Sequence, residues 1–412
     1  MYRSVIEKPS LRVRLLMCLL GLSLLLLSAC GGQVSAKGGG DDDEENESAS
    51  GVSTKNGQIA FRRNLDVDVE QENDVLFTMN PDGTHVSQIT HPPKGWHDEY
   101  PEWSPDGTKV TFMRQNAYRS RIMVLNLQTG HTREVTHCGP DQGWTKEKTK
   151  EHPPPYSGRY CVEDFDPAFS PDGHSIAFHR LLSPDPWSSR KFECCRIEGI
   201  WIIGLDGSNP HQVTNVDPKL PEAYHDIGPA FSPDGKMLVF DRGRDVQKAP
   251  KLVKLGEEDP YYHAVFVQSL DSSGSPEDAH RITPWKMNCQ SHPEFSPDGK
   301  LVLFRCAPKG DEGEGPSNLY WVHPDGTGLH ALTHEDADKQ YGDSSFSPSF
   351  HKGEGWIAVG RTNTGYGKSD ATSFPDVFRI RIEHGDMVRS VNLTKSVTWD
   401  SLPGWGTHPP AD

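Results

Sequence analysis

Phe169-Ser170-Pro171-Asp172-Gly173 is a turn sequence that the chain repeats. Three intact copies and one altered copy share its aromatic residue, serine and proline: Trp103-Ser104-Pro105-Asp106-Gly107, Phe231-Ser232-Pro233-Asp234-Gly235, Phe295-Ser296-Pro297-Asp298-Gly299 and Phe346-Ser347-Pro348-Ser349. Proline presets the first turn angle, aspartate can bond its own backbone, and glycine takes a positive φ. A short apolar run follows each copy, so each predicts a β-hairpin. Hairpins recurring every roughly 40–70 residues are typical of four-stranded propeller blades.

Two further signals give the number of blades. An alternating apolar strand follows each hairpin, and a last strand then ends in an apolar residue plus threonine: Ile89-Thr90, Val135-Thr136, Val213-Thr214, Ile282-Thr283, Leu332-Thr333 and Leu393-Thr394. The first blade lacks an opening strand, and a matching segment occurs at residues 399–406. The sequence therefore predicts an all-β, six-bladed propeller, closed by the C-terminal strand pairing into blade 1, because closure removes exposed edges. An open β-sandwich is the alternative, but it gives no reason for one turn to recur.

Residues 1–30 are predicted to be a leader outside the fold. Basic residues precede an apolar run over residues 15–27, which is short for a membrane span. The run ends in Leu27-Ser28-Ala29-Cys30, which resembles the lipobox of bacterial lipoproteins. The resemblance implies cleavage before Cys30 and acylation of that residue, and an ordinary secretory signal is the alternative. Residues 31–56 are rich in Gly, Ser and acid and predict a flexible tether, which leaves residues 57–412 for the propeller.

The composition limits the partners. The net charge is −16 and no basic stripe interrupts it, which argues against nucleic acid and against direct adhesion to anionic lipid. We therefore expect membrane contact through the lipid anchor only. Gly31 rather than Asp follows the lipidated cysteine, so in a two-membrane envelope we expect the outer membrane, facing the periplasm or the cell surface.

Six cysteines remain beyond the leader, an even number that suits an oxidising compartment. Cys289 and Cys306 lie symmetrically about one hairpin turn, so they face each other across paired strands and predict a disulfide. Cys194 and Cys195 are adjacent and poorly placed to bridge each other. Bridges from this pair to Cys138 and Cys161 are expected, in an order that the sequence leaves open. A zinc site is the alternative, although the spacing fits no usual ligand pattern.

The long connections of the predicted blades all fall on one face of the ring, here called the looped face: 137–163, 180–198, 242–260, 306–317 and 361–375. Long loops often carry function. The innermost strands begin at the same face, and their first residues form a predicted ring of histidines and aspartates: His97, Asp98, Asp164, Asp166, His225, Asp226, His292, Asp343 and Asp400. Such a ring could bind a divalent metal (Ca, Mn or Zn) or a cationic or hydroxyl-rich ligand. Alternatively, each aspartate accepts backbone N–H bonds from a neighbouring loop.

The turn motif with its apolar strand resembles the TolB-like, or PD40, propeller repeats over about residues 57–407. That group includes the Tol-system periplasmic protein, propellers of tricorn and prolyl-oligopeptidase-type peptidases, and oligogalacturonate lyases. The sequence contains no Gly-x-Ser-x-Gly elbow of a hydrolase domain. Our first hypothesis is a lipid-anchored binding or scaffold module that presents its looped face to a protein, peptide or glycan. The second is a metal-dependent polysaccharide lyase or hydrolase, in which arginines near that face would neutralise a uronate: Arg180, Arg242, Arg305 and Arg361.

Overall fold

A computed structural model describes twelve segments of the chain: residues 57–66, 73–116, 119–137, 160–183, 197–214, 223–245, 261–271, 278–289, 291–307, 317–334, 340–362 and 374–407. Within these segments the chain forms 24 strands and one 3₁₀ turn, Trp285–Met287. The predicted leader and tether lie outside the described residues, so the domain boundaries stay predictions. Among the described residues, no helix is long and apolar enough to cross a membrane.

The strands form six blades of four antiparallel strands each. Blades 1 to 3 are β1 (Ile59–Asn64), β2 (Asp74–Met79), β3 (Ser87–Gln88) with β24 (Asp400–Trp405); β4 (His97–Trp103), β5 (Lys109–Gln115), β6 (Ser120–Asn126), β7 (Thr132–Glu134); and β8 (Tyr160–Phe169), β9 (Ser175–Ser183), β10 (Ile197–Gly204), β11 (His211–Gln212). Blades 4 to 6 are β12 (Ala223–Phe231), β13 (Met237–Asp245), β14 (Tyr261–Ser269), β15 (His280–Arg281); β16 (Glu294–Phe295), β17 (Val302–Cys306), β18 (Asn318–Val322), β19 (His330–Ala331); and β20 (Gln340–Phe346), β21 (Gly355–Thr362), β22 (Asp376–Glu383), β23 (Asp386–Asn392). A parallel bridge between Glu198 and His225 joins the sheets of blades 3 and 4.

The last strand closes the ring. β24 pairs antiparallel with β1, with Trp405 opposite Ile59. Trp405 is buried and packs with Ile59 of blade 1 and with Ala358 and Val377 of blade 6. The predicted six-bladed propeller and its closure by the C-terminal strand are therefore confirmed.

The repeated turn has the chemistry that its sequence predicts. Ser170 Oγ donates to Asp172 Oδ1 at 2.6 Å, and the Gly173 N–H donates to the Ser170 carbonyl at 2.8 Å. Gly173 takes a φ of 70°, where a side chain would strain the backbone. The N–H of Ser175 then donates to Ser170 Oγ, which ties the turn to the second strand. Each group of the motif thus has a local partner, and this explains why the motif recurs intact.

The threonine that ends each blade forms the same hydrogen bond in all six blades. Its hydroxyl accepts the N–H of a residue near the start of the third strand, at 2.9–3.1 Å in all six blades: Leu76 to Thr90, Ile122 to Thr136, Ile200 to Thr214, Val265 to Thr283, Leu319 to Thr333 and Val377 to Thr394. The bond holds the outer strand to its neighbour, which matters because several outer strands span only two residues.

The structure joins Cys289 to Cys306 by the disulfide that the spacing predicts. Both cysteines are buried, in the core between blades 4 and 5. Cys161 is also a disulfide cysteine. The predicted partners Cys138, Cys194 and Cys195 lie outside the described residues, so their pairing stays a prediction.

Candidate functional site

A β-bulge interrupts the innermost strands of five blades, shortly before the aromatic of the repeat. The register shifts between Glu99 and Glu102, Phe165 and Ala168, Ile227 and Ala230, Tyr341 and Ser344, and opposite Ala60 and Arg62. Four bulge residues take a φ of 51–59°: Tyr100, Asp166, Gly228 and Leu402. A bulge re-aims the side chain it carries. Here it turns one residue of each bulged strand toward the axis of the ring.

All six innermost strands contribute to a narrow central cavity of about 80 Å³. Its first layer is formed by the residues three positions before each aromatic: Tyr100, Asp166, Gly228, His292, Asp343 and Leu402. The next position is proline in five blades and Ser344 in the sixth. One water molecule needs roughly 10–15 Å³ of such space, so the cavity holds only a few waters.

His292 forms a bridge across this cavity between two other blades. Its Nε2 lies 3.3 Å from Asp166 Oδ1 of blade 3, and its Nδ1 lies 3.1 Å from Asp343 Oδ1 of blade 6. The Tyr100 ring of blade 2 packs against the imidazole at a centroid distance of 4.9 Å. Four blades thus meet on one histidine.

The bridge carries charge on both sides. Burial lowers the pKa of His292, but the carboxylates of Asp343 and Asp166 outweigh it and raise that pKa well above its ordinary value. Burial raises the pKa of Asp166 and of Asp343, but His292 reverses this effect, and both pKa values are lowered. At neutral pH, the arrangement is therefore an imidazolium between two carboxylates.

Two further acids line the cavity, and the sequence analysis missed both. Burial raises the pKa of Glu102 to about 7. Burial and then the charge of Glu102 raise the pKa of Glu294 well above its ordinary value. Glu294 Oε2 accepts the N–H of Phe346 at 3.2 Å. The signal that could have found them is their shared position, one residue before the aromatic of the repeat.

Four of the predicted aspartates lie in buried pairs with arginine instead. Each accepts Nε and Nη2 of one arginine at 2.6–2.9 Å: Asp98 with Arg114, Asp164 with Arg180, Asp226 with Arg242, and Asp400 with Arg63. All four carboxylates are fully buried. The pairs join the first strand of a blade to its second strand, and charge-assisted bidentate bonds of this kind are strong and directional.

The arginines of these pairs also stack on aromatic rings. Arg180 lies 4.9 Å from the Phe178 ring centroid and 5.0 Å from that of Trp201. Arg361 of blade 6 also stacks on an aromatic ring, 4.8 Å from the Phe378 centroid. Within the described residues it has no aspartate partner, and its Nη1 donates to Ser390. In each of the four paired blades, the arginine stacks on the aromatic two residues before it in the second strand.

The structure separates the predicted ring into two layers. Asp166, His292 and Asp343 stand three residues before an aromatic and line the cavity, whereas the four paired aspartates stand five residues before it and do not line it. His97 and His225 stand six residues before it and are also absent from the lining. The His225 ring packs edge-on against His263 at 5.1 Å, and His263 Nδ1 lies 3.0 Å from Asp241. The three histidines that the sequence grouped are therefore not brought together.

Among the residues that the structure describes, no three His, Cys, Asp or Glu side chains are grouped so as to hold a metal ion. Each paired aspartate accepts hydrogen bonds from an arginine side chain. The alternative drawn from the sequence had expected these aspartates to accept backbone N–H groups of a neighbouring loop. The ligand-binding role of the ring stays a prediction.

The comparisons with known proteins show the fold. No protein-family model matches the chain. Among solved structures, hydrazine synthase of Kuenenia stuttgartiensis aligns over 86% of this chain and 47% of its own, with a TM-score of 0.54 and 12% identity. This chain is a six-bladed β-propeller. TolB from Acinetobacter baumannii aligns over 86% of this chain and 67% of its own, at 17% identity and a TM-score of 0.49. TolB from Agrobacterium tumefaciens aligns over 85% of this chain and 92% of its own, at 17% identity and a TM-score of 0.47.

One curated relative adds a sequence match. The uncharacterized peptidase YuxL of Bacillus subtilis (strain 168) is 24% identical over 249 residues, which cover 53% of this chain. These residues span only 31% of YuxL, so the chain matches about a third of that protein's length.

Proposed function

We propose that this protein is a binding or scaffold propeller of the bacterial cell envelope. A lipid on Cys30 anchors it to a membrane, and its looped face meets a protein, peptide or glycan. The observation that carries this proposal is the set of four buried Asp–Arg pairs beneath that face. Each aspartate accepts from an arginine of its own blade, so these charges support the strands beneath the loops rather than reach a ligand.

The size of the central cavity also favours recognition on the surface. Small-molecule sites have volumes of roughly 300–1,000 Å³, and the cavity on the axis has about 80 Å³. His292 with its two carboxylates lies across it. A polymer or a peptide therefore meets the rim of this face and not the inside of the channel.

The charge of the chain sets the kind of partner. A net charge of −16 disfavours a strongly anionic partner and favours a neutral or basic surface. The alternative function, a polysaccharide lyase, needs a cation that touches a uronate and a base near its proton. Arg180 and Arg242 are buried and donate to Asp164 and Asp226, so these two arginines support the strands rather than a uronate.

Site-specific photo-crosslinking in living cells tests the proposal. The photoreactive residue is placed on the looped face, at three exposed histidines that directly follow the blade-ending threonines: His91, His137 and His334. The matched controls are exposed residues in the turns of the opposite face: Gln128, Asp206 and Asp325. We expect an adduct of one constant mass from at least two looped-face positions. Adducts from the turn face alone, or none from either face, would contradict the proposal.

A further inference from the structure

The aromatic residue that opens the repeated turn fills the boundary between neighbouring blades. Five of the six are 1–7% exposed: Trp103, Phe169, Phe295, Phe346 and Trp405. Phe231, at the boundary of blades 3 and 4, is partly exposed. The space around it is therefore not filled as it is elsewhere in the ring.

The sizes of the facing residues also differ at this boundary. Where the facing residue of the preceding blade is alanine, the aromatic is tryptophan, as in Ala60 with Trp103 and Ala358 with Trp405. Where the facing residue is larger, the aromatic is phenylalanine, as in Val239 with Phe295 and Leu303 with Phe346. Phe231 faces Ala177. Blade 4 thus combines the smaller aromatic with an alanine, although Ala177 itself is fully buried.

A second departure from the repeat occurs at the same boundary. In each blade, one third-strand residue donates its N–H to the blade-ending threonine. Three residues further along that strand, five blades carry a buried apolar residue: Met79, Leu125, Ile203, Val322 and Ile380. Blade 4 carries Gln268, which is 1% exposed and donates from Nε2 to the Val213 carbonyl of blade 3 at 3.0 Å. Burying a side-chain amide costs folding free energy, compared with burying an apolar residue, unless its polar atoms form hydrogen bonds.

Phe231 and Gln268 both line one cleft of about 670 Å³, on the face opposite the long loops. Its volume lies in the range of small-ligand sites. Phe231, Ile202, Val213 and Leu270 supply its apolar surface, and the amides of Gln212 and Gln268 lie beside them.

The rim of the cleft is acidic. The turns of blades 3 and 4 place Asp172 and Asp234 there. Hydrogen bonds from Ser170 and Ser232 lower the pKa of these carboxyls, so both are ionised at neutral pH. Among the described residues that line the cleft, none is lysine or arginine and His211 is the one histidine. Lys236 beside Asp234 and His174 beside Asp172 lie outside the lining. The lining therefore suits an apolar group joined to a positive charge.

We propose that this cleft binds an organic cation: an ammonium or guanidinium group on an apolar body, either as a small molecule or as a basic side chain of a peptide. The apolar body packs on Phe231, and the cation faces Asp172 and Asp234. An aromatic face also attracts a cation directly. This site is separate from the looped face, so the inference goes beyond the proposed function.

Three probes with one body and different charge test the proposal on the full chain: phenethylamine, 2-phenylethanol and phenylacetate. Ligand-observed NMR and calorimetric titration measure binding. We expect phenethylamine to bind at least tenfold more tightly than phenylacetate, with phenylethanol between them. An acetylated Phe-Arg dipeptide amide serves as the peptide probe, and comparison of its affinity with that of phenethylamine distinguishes the two sources of the cation.

Two sets of variants locate the site. Phe231→Trp supplies the residue that faces alanine elsewhere in the ring, so it should fill the cleft and weaken phenethylamine binding at least tenfold while the melting temperature is kept or raised. The double variant Asp172→Asn with Asp234→Asn should remove the preference for the amine over the alcohol. Its matched control is Asp106→Asn with Asp298→Asn, which changes the same turn position in blades that do not line the cleft.

The outcomes are distinct. Amine binding that falls in Phe231→Trp, and a charge preference that falls only in the cleft-side asparagine variant, would support the proposal. No detectable binding of any probe at millimolar concentration would overturn it. So would a preference for phenylacetate, unchanged binding in Phe231→Trp, or an equal loss in the control variant.

Discussion

Arg242 donates to both carboxylate oxygens of Asp226, from Nε at 2.6 Å and from Nη2 at 2.8 Å, and both side chains are buried. The pair joins the innermost strand of blade 4 to its neighbour, and three other blades repeat it. Asp226, which the sequence predicts at a channel mouth, thus holds the first two strands of its own blade together. This relationship decides which charged groups of the looped face can meet a ligand.

Removal of this aspartate should destabilise the propeller. Asp226→Ala leaves the buried Arg242 charge uncompensated, which costs about 3–5 kcal/mol in the free energy of unfolding. Urea unfolding followed by fluorescence measures it. The double variant Asp226→Leu with Arg242→Met should recover most of the loss, because no buried charge remains. The control Glu383→Ala removes a partner of the more exposed Arg381 and should change the free energy by less than about 1 kcal/mol. An Asp226→Ala variant as stable as the parent would contradict the structural role of the pair.

The His292 bridge should make stability depend on pH. A raised histidine pKa gives stabilisation that is fully present below about pH 6.5 and is lost as the pH rises through the folded value. The lowered pKa values of Asp166 and Asp343 give stabilisation that is present above about pH 3.9 and is lost as the pH falls through theirs. We therefore expect the largest contribution of the bridge between about pH 4 and 6.5.

The test is the free energy of unfolding from pH 4 to pH 10 in His292→Gln and in the parent. The variant should lose about 1–3 kcal/mol at pH 6 and less at pH 10. Other charged or titratable groups face the bridge, namely Tyr100, His179 beside Asp166, and Arg305 beside Asp343, and they remain in the variant. His323→Gln, at an exposed histidine, is the control and should leave the pH profile unchanged. Parallel profiles of parent and His292→Gln would disprove this role.

Closure of the ring should depend on Trp405. Trp405→Ala removes a buried aromatic and should lower the free energy of unfolding by about 3–5 kcal/mol. A chain truncated after residue 396 should lose more, because the edge of β1 is then exposed and can aggregate. Differential scanning calorimetry compares both with Val397→Ala, which changes a 76% exposed residue. A truncated chain that melts with the parent would refute the closure.

The Cys289–Cys306 disulfide should resist mild reduction. Both cysteines are at most 1% exposed, so a reductant has little access to them in the folded protein. Peptide mapping without reduction should recover the two cysteines in one linked peptide, before and after treatment with dithiothreitol under native conditions. Replacing both by alanine should cost about 3 kcal/mol, the usual value for a loop of this length. Two free thiols in the native protein would contradict the pairing.

Acylation should depend on Cys30. The prediction rests on the lipobox resemblance of Leu27-Ser28-Ala29-Cys30, which lies outside the described residues. Cells grown with a labelled fatty acid should incorporate the label into the parent but not into Cys30→Ala, and the variant should leave the membrane fraction. Cys18→Ala, within the leader, is the control. Equal label in parent and Cys30→Ala would rule out lipidation at this residue.

The sequence predicted part of the candidate site and mixed it with residues of another layer. Asp166, His292 and Asp343 line the central cavity, whereas the paired aspartates that were predicted for the same ring do not. Strand alternation alone does not separate them, because a bulge beside Tyr100, Asp166, Gly228 and Leu402 changes which side chains face inward. The offset from the following aromatic would have separated the two sets, since one stands three residues before it and the other five.

The sequence by itself determined the number of blades, the closing strand and the Cys289–Cys306 pair. These features follow from turn chemistry and strand periodicity, which act over a few residues and repeat along the chain. Only the tertiary structure decided that Asp226 belongs to Arg242, that His292 lies between carboxylates of blades 3 and 6, and that a cleft opens beside Phe231. The His292 contacts and the cleft depend on residues far apart in sequence. The Asp226–Arg242 pair lies within one hairpin, but a bulge between Ile227 and Ala230 shifts its register. The cleft is lined from two neighbouring blades, by residues such as Val213 and Phe231, and neither residue is unusual within its own strand.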